Sequence, residues 1–164
     1  MTAEMTKNLP IGRGKIGFKV SNHYPVSASK FWEAITLGRN YERCFFDKVE
    51  GNFTRGLTPV FVTNRECGRH AWWPTVFQKE RKLEFRWAGC TKHYLTTVTM
   101  TLKKKPHFIE LEIHERGWKP MDVQNAFMNC NGWSMYLDYL KAYLLHRIDL
   151  RTAKGQATRH HVAA

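Results

Sequence analysis

The sequence has few cysteines, and their spacing matches neither a disulfide framework nor a zinc ribbon. The four thiols among the 164 residues stand apart, without a CxxC pair, at Cys44, Cys67, Cys90 and Cys130. Two C-x-x-H pairs, Cys67 with His70 and Cys90 with His93, could together supply four zinc ligands. Both pairs fall at expected strand ends, which favours free thiols and surface histidines. We therefore predict no metal site and no cofactor.

Long apolar segments are also missing from the sequence. No apolar run approaches the roughly 18 residues that cross a bilayer, so no membrane insertion is expected. The first residues, MTAEMTKNLPIGRGK, lack the apolar core of a secretory signal peptide. A hydrophobic content of 43% and an aromatic content of 13% nevertheless indicate a folded chain. Together these features predict a cytoplasmic protein with one domain.

Acidic residues are scarce relative to basic ones. The chain has 26 Lys and Arg against 14 Asp and Glu, which gives a formal net charge of +12. Such a charge attracts anions, and nucleic acids among them. The basic residues are spread along the chain, however, and the longest run, Lys103 to Lys105 before Pro106, indicates a solvated hairpin turn. Because no nucleic-acid-binding motif accompanies the charge, we do not predict a nucleic-acid partner.

Periodic patterns divide the chain into three parts. Residues 1–14 lack periodicity and predict a flexible arm, residues 15–151 predict a folded domain, and residues 152–164 predict a flexible tail. Alternation beginning at Ile16 indicates a first strand. Ser27 is a good N-cap for a short helix, and a second short helical piece is expected at 40–44. Strand-like alternation then continues to residue 118.

The last predicted strand contains a break in its apolar pattern. Ile109, Leu111 and Ile113 share the inward face, and the next inward position is Glu115. A carboxylate there either reaches water at the rim of the sheet or lines a polar spot in a cavity. The rim is favoured because Gly117 follows two residues later. The cavity remains the alternative, and it makes Glu115 a candidate site residue.

A long amphipathic helix is predicted near the end of the chain. Asp122 can cap it, and its apolar stripe is spaced by three and four residues. The stripe comprises Phe127, Cys130, Trp133, Leu137, Leu140, Leu144 and Ile148. Gly132 lies within this helix at a cost of roughly 1 kcal/mol relative to alanine, which suggests a kink or the close approach of another group. Strands followed by a terminal helix predict an α+β fold with an antiparallel sheet.

This order of elements resembles the helix-grip fold of the START-like (SRPBCC) superfamily, in its branch of activator of heat-shock-protein-90 ATPase homologues. The resemblance rests on HYPVSASKFWEAIT, on KLEFRWAG followed by LTTVTMTLKKKPHFIELEIHERGW, and on NGWSMYLDYLKAYLLHRIDLR. These stretches span about residues 16–151. The resemblance implies a curved antiparallel sheet of about six or seven strands wrapped around the long C-terminal helix. Two short helices are expected after the first strand.

The resemblance also implies a cavity between the sheet and the terminal helix that binds a hydrophobic small molecule or lipid. The candidate wall residues are Trp73, Phe77, Phe85, Trp87, Tyr94 and Trp133, with Glu115 and Tyr136 as polar anchors. Each aromatic residue among them could equally be ordinary core. Two alternatives stay open. One is a cyclase- or aromatase-like enzyme that uses Glu115 as its acid–base group, although binding is favoured over catalysis. The other is an interaction domain with a chaperone as its partner.

Overall fold

Residues 3–64, 68–89, 91 and 93–152, which the computed structural model describes, form an α+β fold with a seven-stranded sheet, two short helices and one long helix. The strands are β1 (Gly14–Tyr24), β2 (Lys48–Glu50), β3 (Val60–Asn64), β4 (Gly68–Gln78), β5 (Lys82–Trp87), β6 (Thr96–Lys104) and β7 (Ile109–Gly117). The helices are α1 (Ala28–Thr36), α2 (Gly38–Cys44) and α3 (Val123–His146), with short 3-10 helices at Ala3–Asn8 and Pro120–Asp122.

The sheet is antiparallel throughout and has the strand order β1-β7-β6-β5-β4-β3-β2. A sheet of this size twists and curls, which creates a concave face that a long helix can fill. Contacts between α3 and β1 fix the helix there, since the Tyr24 hydroxyl donates to the Leu137 carbonyl at 2.9 Å. The predicted helix-grip architecture is confirmed.

The first helix begins where the sequence predicts. Ser27 is its N-cap, and the Ser27 hydroxyl accepts a hydrogen bond from the Lys30 amide at 3.3 Å. Phe31 and Ile35 lie one helical turn apart and are both fully buried. The second short helix, α2, is longer than the expected 40–44, since it runs from Gly38 to Cys44.

The apolar stripe of α3 is shorter than predicted. Trp133 to Leu144 form its buried part, but Phe127 is 65% exposed and Ile148 is 45% exposed. Phe127 lies about 110° around the helix axis from the mean direction of the stripe, since each residue advances about 100°. Ile148 lies beyond the helix, which ends at His146 with Arg147 in the left-handed region. Asp122 is the N-cap residue, yet its side chain makes no capping hydrogen bond.

The segment that precedes β1 lies against the sheet. Its 3-10 helix contacts β4, where the Trp73 indole donates to the Thr6 hydroxyl at 3.3 Å. Ile11 pairs with Leu95, just before β6. Of the predicted C-terminal tail, residues 153–164 lie outside the described residues. Among the helices that the structure describes, none is long and apolar enough to cross a membrane.

Candidate functional site

Glu115 is a carboxylate with no solvent exposure. It takes the inward position after Ile113 on β7, as the alternation of the strand requires. The expectation that Glu115 reaches water at the rim of the sheet is wrong. The reason is tertiary, because α3 crosses this end of the sheet and brings Asn129 and Trp133 onto the carboxylate.

Four donors surround the Glu115 carboxylate. Its Oε1 accepts hydrogen bonds from Thr96 Oγ1 at 2.6 Å, Trp87 Nε1 at 3.0 Å and Asn129 Nδ2 at 3.3 Å. Its Oε2 accepts from Trp133 Nε1 at 2.8 Å. Trp87 ends β5, Thr96 begins β6, and Asn129 and Trp133 lie one turn apart on α3. The carboxylate therefore joins three adjacent strands to the helix.

Two opposing effects act on the pKa of Glu115. Burial raises it above the usual value, because the charged form loses its hydration, and this effect is the larger one. The hydrogen bonds from Thr96, Trp133, Trp87 and Asn129 act in the opposite direction, since each stabilises the ionised form. The net result is a carboxyl group with a raised pKa whose two oxygens are already occupied by donors.

Aromatic rings pack around the two tryptophans that Glu115 holds. The ring of Trp133 lies 5.9 Å from Trp87, 6.1 Å from Trp72, 6.3 Å from Phe85 and 5.8 Å from Tyr136, measured between ring centroids. We call these five residues the aromatic cluster. It lies between the concave face of the sheet and α3, and distances in this range are those of favourable aromatic pairs.

The aromatic cluster contains polar atoms that are not hydrogen-bonded. Trp72 has no solvent exposure, and its Nε1 has no partner among the described residues. The Tyr136 hydroxyl is likewise buried without a hydrogen bond of good geometry, and burial together with the neighbouring Tyr41 phenol raises its pKa well above the usual value. Because an indole N–H can only donate, Trp72 is the clearer case of a donor without an acceptor.

The structure brings together five of the eight predicted site residues. Four belong to the aromatic cluster, Phe85, Trp87, Trp133 and Tyr136, and Glu115 is bonded to it.

The other three predicted residues lie elsewhere. Trp73 is on the opposite face of β4 from Trp72, where its ring contacts Phe61. Phe77 packs against Trp32 of α1, with 5.3 Å between ring centroids. Tyr94 lies next to the start of α3, where its hydroxyl donates to Asp122 Oδ2 at 2.7 Å.

Three residues of the site, Trp72, Thr96 and Asn129, were not predicted from the sequence. Trp72 and Trp73 are adjacent, so the pattern alone could not decide which of them faces inward. Asn129 carried a usable signal, because it stands four residues before Trp133 and so faces the same side of the helix. Thr96 directly precedes the alternating threonines of β6 and offered no comparable signal.

No group of three or more metal-ligating side chains is found within the part of the chain that the structure describes. Of the two C-x-x-H pairs, Cys67 and Cys90 lie outside the described residues.

The sheet, the helix across its concave face and the buried cluster between them define a START-like domain. A family model for "Activator of Hsp90 ATPase homolog 1-like protein" matches residues 25–145. The chain therefore belongs to this family, as the sequence resemblance predicted.

Solved structures agree with the fold. Protein MLL2253 from Mesorhizobium loti is 19% identical, with a TM-score of 0.71 over 82% of this chain and 99% of that one. SSP2350 from Staphylococcus saprophyticus is 16% identical, with a TM-score of 0.69 over 82% and 95% of the two chains. The Aha1 dimer from Colwellia psychrerythraea is 15% identical, with a TM-score of 0.67 over 79% and 96%. No curated protein sequence matches this chain.

Proposed function

We propose that this chain binds a small hydrophobic molecule between the concave face of the sheet and α3. The observation that carries the proposal is the Trp72 indole N–H, which is buried within the aromatic cluster without an acceptor. The large majority of buried side-chain polar atoms in folded proteins are hydrogen-bonded. An unpaired buried donor costs about 1–3 kcal/mol, so a bound acceptor would recover a substantial free energy.

The residues of the aromatic cluster indicate which kind of molecule it would bind. Its rings favour a flat or aromatic apolar body, because ligand sites combine apolar walls with a small number of placed polar groups. The Trp72 N–H adds the requirement for one acceptor oxygen. A neutral aromatic or polycyclic molecule that carries a hydroxyl or carbonyl oxygen meets both conditions.

Glu115 supports this function by positioning the wall. Its two oxygens hold the indoles of Trp87 and Trp133 at 3.0 and 2.8 Å, so both rings have fixed orientations. The same hydrogen bonds argue against an enzyme that uses Glu115 for acid–base chemistry. A proton-transfer group must reach the substrate, whereas four protein donors already occupy this carboxylate. We therefore assign Glu115 a positioning role.

Native mass spectrometry tests whether a ligand is present. The purified protein should carry a bound organic molecule that solvent extraction removes. Titration with 2-naphthol, which has one acceptor oxygen, should then show tighter binding to the extracted protein than titration with naphthalene, which has none. The expected difference is about tenfold, or 1.4 kcal/mol, for one added hydrogen bond.

Two adjacent tryptophans provide a matched control. Trp72→Phe removes the unpaired N–H and should abolish the preference for 2-naphthol over naphthalene. Trp73→Phe, the same change on the opposite face of β4, should leave that preference intact. Equal affinities of the wild type for the two probes, or an equal effect of the two variants, would contradict the proposal.

A specific surface favours a second candidate function, association with another copy of the chain. Met121, Phe127 and Met128 are 84%, 65% and 63% exposed at the beginning of α3 and just before it. The sequence from residue 123 to residue 137 contains no Asp, Glu, Lys, Arg or His, although the chain carries a net charge of +12. Two copies repel each other least where their facing surfaces are uncharged. The similar Aha1 from Colwellia psychrerythraea is described as a dimer.

Sedimentation velocity tests this association. The wild type should be dimeric at micromolar concentration, and Phe127→Lys should make it monomeric. Ile148→Lys is the matched control, because Ile148 is an exposed apolar residue that lies beyond the end of α3. A monomeric wild type at all concentrations, or an equal effect of the control, would remove this candidate.

A further inference from the structure

A basic groove lies on the convex face of the sheet, on the side opposite the aromatic cluster. Its volume is about 500 Å³, within the range of small-molecule sites. The groove runs along the paired strands β1 and β7 and is lined by Lys15, Gly17, Lys19, His114 and Arg116, among others. Four of these five residues have basic side chains, and the fifth is glycine.

The local sequence explains why the groove exists. Lys15, Gly17 and Lys19 are exposed positions of the alternating burial pattern of β1, whose register with β7 shifts between Gly14 and Gly17. Gly17 has no side chain, so a gap separates the two lysines. On β7, Arg116 is the partner of Gly17, and His114 is the partner of Lys19. The Cα atoms of directly paired residues are about 4.5–5.5 Å apart, so Arg116 and His114 lie close to the glycine gap, which Lys15 and Lys19 flank along β1.

The neighbouring backbone of β7 leaves little space for a side chain at position 17. A Cβ on residue 17 would lie 3.0 Å from the Glu115 carbonyl oxygen and 3.4 Å from the Arg116 Cα. A larger residue would therefore strain the β1–β7 pair and would also fill the gap between the lysines.

The carboxylates near the groove do not neutralise it. Glu112 lies 3.4 Å from Lys19, but it lies closer to Lys103, at 2.8 Å. Glu84 contacts Arg116 at 3.2 Å and is shared with Lys82, at 3.4 Å. Each carboxylate thus serves two cations, so the positive charge of the groove is only partly offset.

The pKa of His114 reflects the charges that surround it in the groove. Its pKa is lowered, first by burial and then by the positive charges of Lys19 and Arg116, while Glu112 acts in the opposite direction. The positive neighbours outweigh the single carboxylate at this imidazole. An anion bound in the groove would reverse that balance.

We propose that this groove binds the phosphate group of a small phosphorylated molecule. Arg116 donates through Nη1 to Thr99 Oγ1 at 2.8 Å and through Nη2 to Glu84 at 3.2 Å, and its remaining N–H groups can donate to phosphate oxygens. Lys15 and Lys19 supply charge from either side of the Gly17 gap. The volume exceeds that of a phosphate ion, which leaves room for the organic part of such a ligand. The site is separate from the aromatic cluster and does not depend on the function proposed above.

The test uses inorganic phosphate and pyrophosphate as probes, with ionic strength held constant by sodium chloride. Amide chemical shifts should change at residues 14–19 and 114–116, and the NMR-measured pKa of His114 should rise with pyrophosphate. Lys15→Ala and Lys19→Ala should each weaken pyrophosphate binding roughly five- to tenfold, as expected for one charge-assisted contact. Lys30→Ala on α1 removes the same charge elsewhere and should change the affinity less than about twofold.

Three results would overturn the proposal. The first is that neither probe causes localised changes in amide chemical shift. The second is that Lys30→Ala weakens pyrophosphate binding as much as Lys15→Ala and Lys19→Ala do. The third is binding of a single-stranded oligonucleotide without any response to pyrophosphate, which would indicate a polymer-binding surface instead. Far-UV circular dichroism of each variant verifies the fold, which substitution of these exposed lysines should leave unchanged.

Discussion

Replacing Trp133 by phenylalanine tests the hydrogen bond that joins α3 to the sheet at Glu115. The substitution keeps an aromatic ring in the cluster but removes the donor that lies 2.8 Å from Glu115 Oε2. After the change, Oε2 retains only the long contact of 3.5 Å with Asn129. A hydrogen bond to a charged group is worth about 1.5–3 kcal/mol, and the space left by the smaller ring costs roughly 1 kcal/mol. The free energy of unfolding should fall by about 2.5–4 kcal/mol.

Trp72→Phe provides the comparison within the same aromatic cluster. It leaves a similar space, at roughly 1 kcal/mol, but the N–H that it removes has no partner among the described residues. Eliminating an unpaired buried donor recovers about 1–3 kcal/mol. The recovery equals or exceeds the loss, so the free energy of unfolding should stay unchanged or rise by up to about 2 kcal/mol. The two substitutions should therefore differ by at least about 2.5 kcal/mol.

Urea denaturation followed by far-UV circular dichroism measures both variants without relying on tryptophan fluorescence, which the substitutions themselves alter. The slope of the unfolding free energy against urea should stay constant, so that differences in midpoint report stability. In thermal denaturation, a loss of about 2.5–4 kcal/mol should lower Tm by roughly 5–16 °C for a chain of this size.

The outcome that refutes this reasoning is specific. If Trp72→Phe and Trp133→Phe destabilise equally in extracted, ligand-free protein, the Trp72 N–H is already satisfied. The argument for an acceptor-bearing ligand then fails. If Trp133→Phe costs no more than the roughly 1 kcal/mol of lost packing, the Glu115 carboxylate does not depend on this indole, and its positioning role fails.

Three further predictions concern stability. Because burial raises the pKa of Glu115, the wild type should gain stability relative to Glu115→Gln as the pH falls through that raised pKa. The opposite holds for Glu84, whose pKa is lowered: the wild type should lose stability relative to Glu84→Gln as the pH falls. Urea denaturation across about pH 3–7 measures both differences, since the effect of Glu84 develops below the usual glutamate pKa of about 4.3. Each unit by which the folded and unfolded pKa values differ is worth about 1.4 kcal/mol, and equal pH dependences would contradict the assignment. Gly132→Ala should stabilise the protein by about 1 kcal/mol, since a Cβ there meets nothing within 4 Å. Gly14→Ala should destabilise it strongly, because the added Cβ would overlap a backbone carbonyl. The first variant should therefore raise Tm and the second should lower it. Arg151→Ala should cost about 1–2 kcal/mol, because this guanidinium donates to two backbone carbonyls at 2.6 and 2.7 Å, and an unchanged urea midpoint would contradict it.

The sequence predicted the architecture well because its patterns are local. The alternation on β7 and the stripe from Trp133 to Leu144 follow from the periods of strand and helix, which a single segment displays. The same reasoning failed at the ends of α3. Phe127 and Ile148 continue the three- and four-residue spacing, but the angular drift at one end and the left-handed Arg147 at the other remove them from the buried face.

The candidate site was only partly predictable, because its residues come from distant parts of the chain. The alternation of inward and outward residues along β7 predicted that Glu115 faces inward. Whether its carboxylate reaches water at the rim of the sheet or is enclosed depends on where α3 crosses the sheet. Similarly, Trp72 and Trp73 are neighbours in sequence, and the register of β4 against β5 and β3 determines which of them enters the aromatic cluster.

Hydrophobic periodicity in the sequence by itself determined the α+β class with an antiparallel sheet, the long amphipathic helix and the inward position of Glu115, and the family resemblance added the helix-grip fold. Only the tertiary structure decided that Glu115 is enclosed by four donors, that Trp72 lacks an acceptor, and that the dispersed lysines and Arg116 meet at one groove. The physical reason is that periodicity is a property of one segment. Burial, hydrogen bonding and charge balance, by contrast, depend on which segments pack against one another.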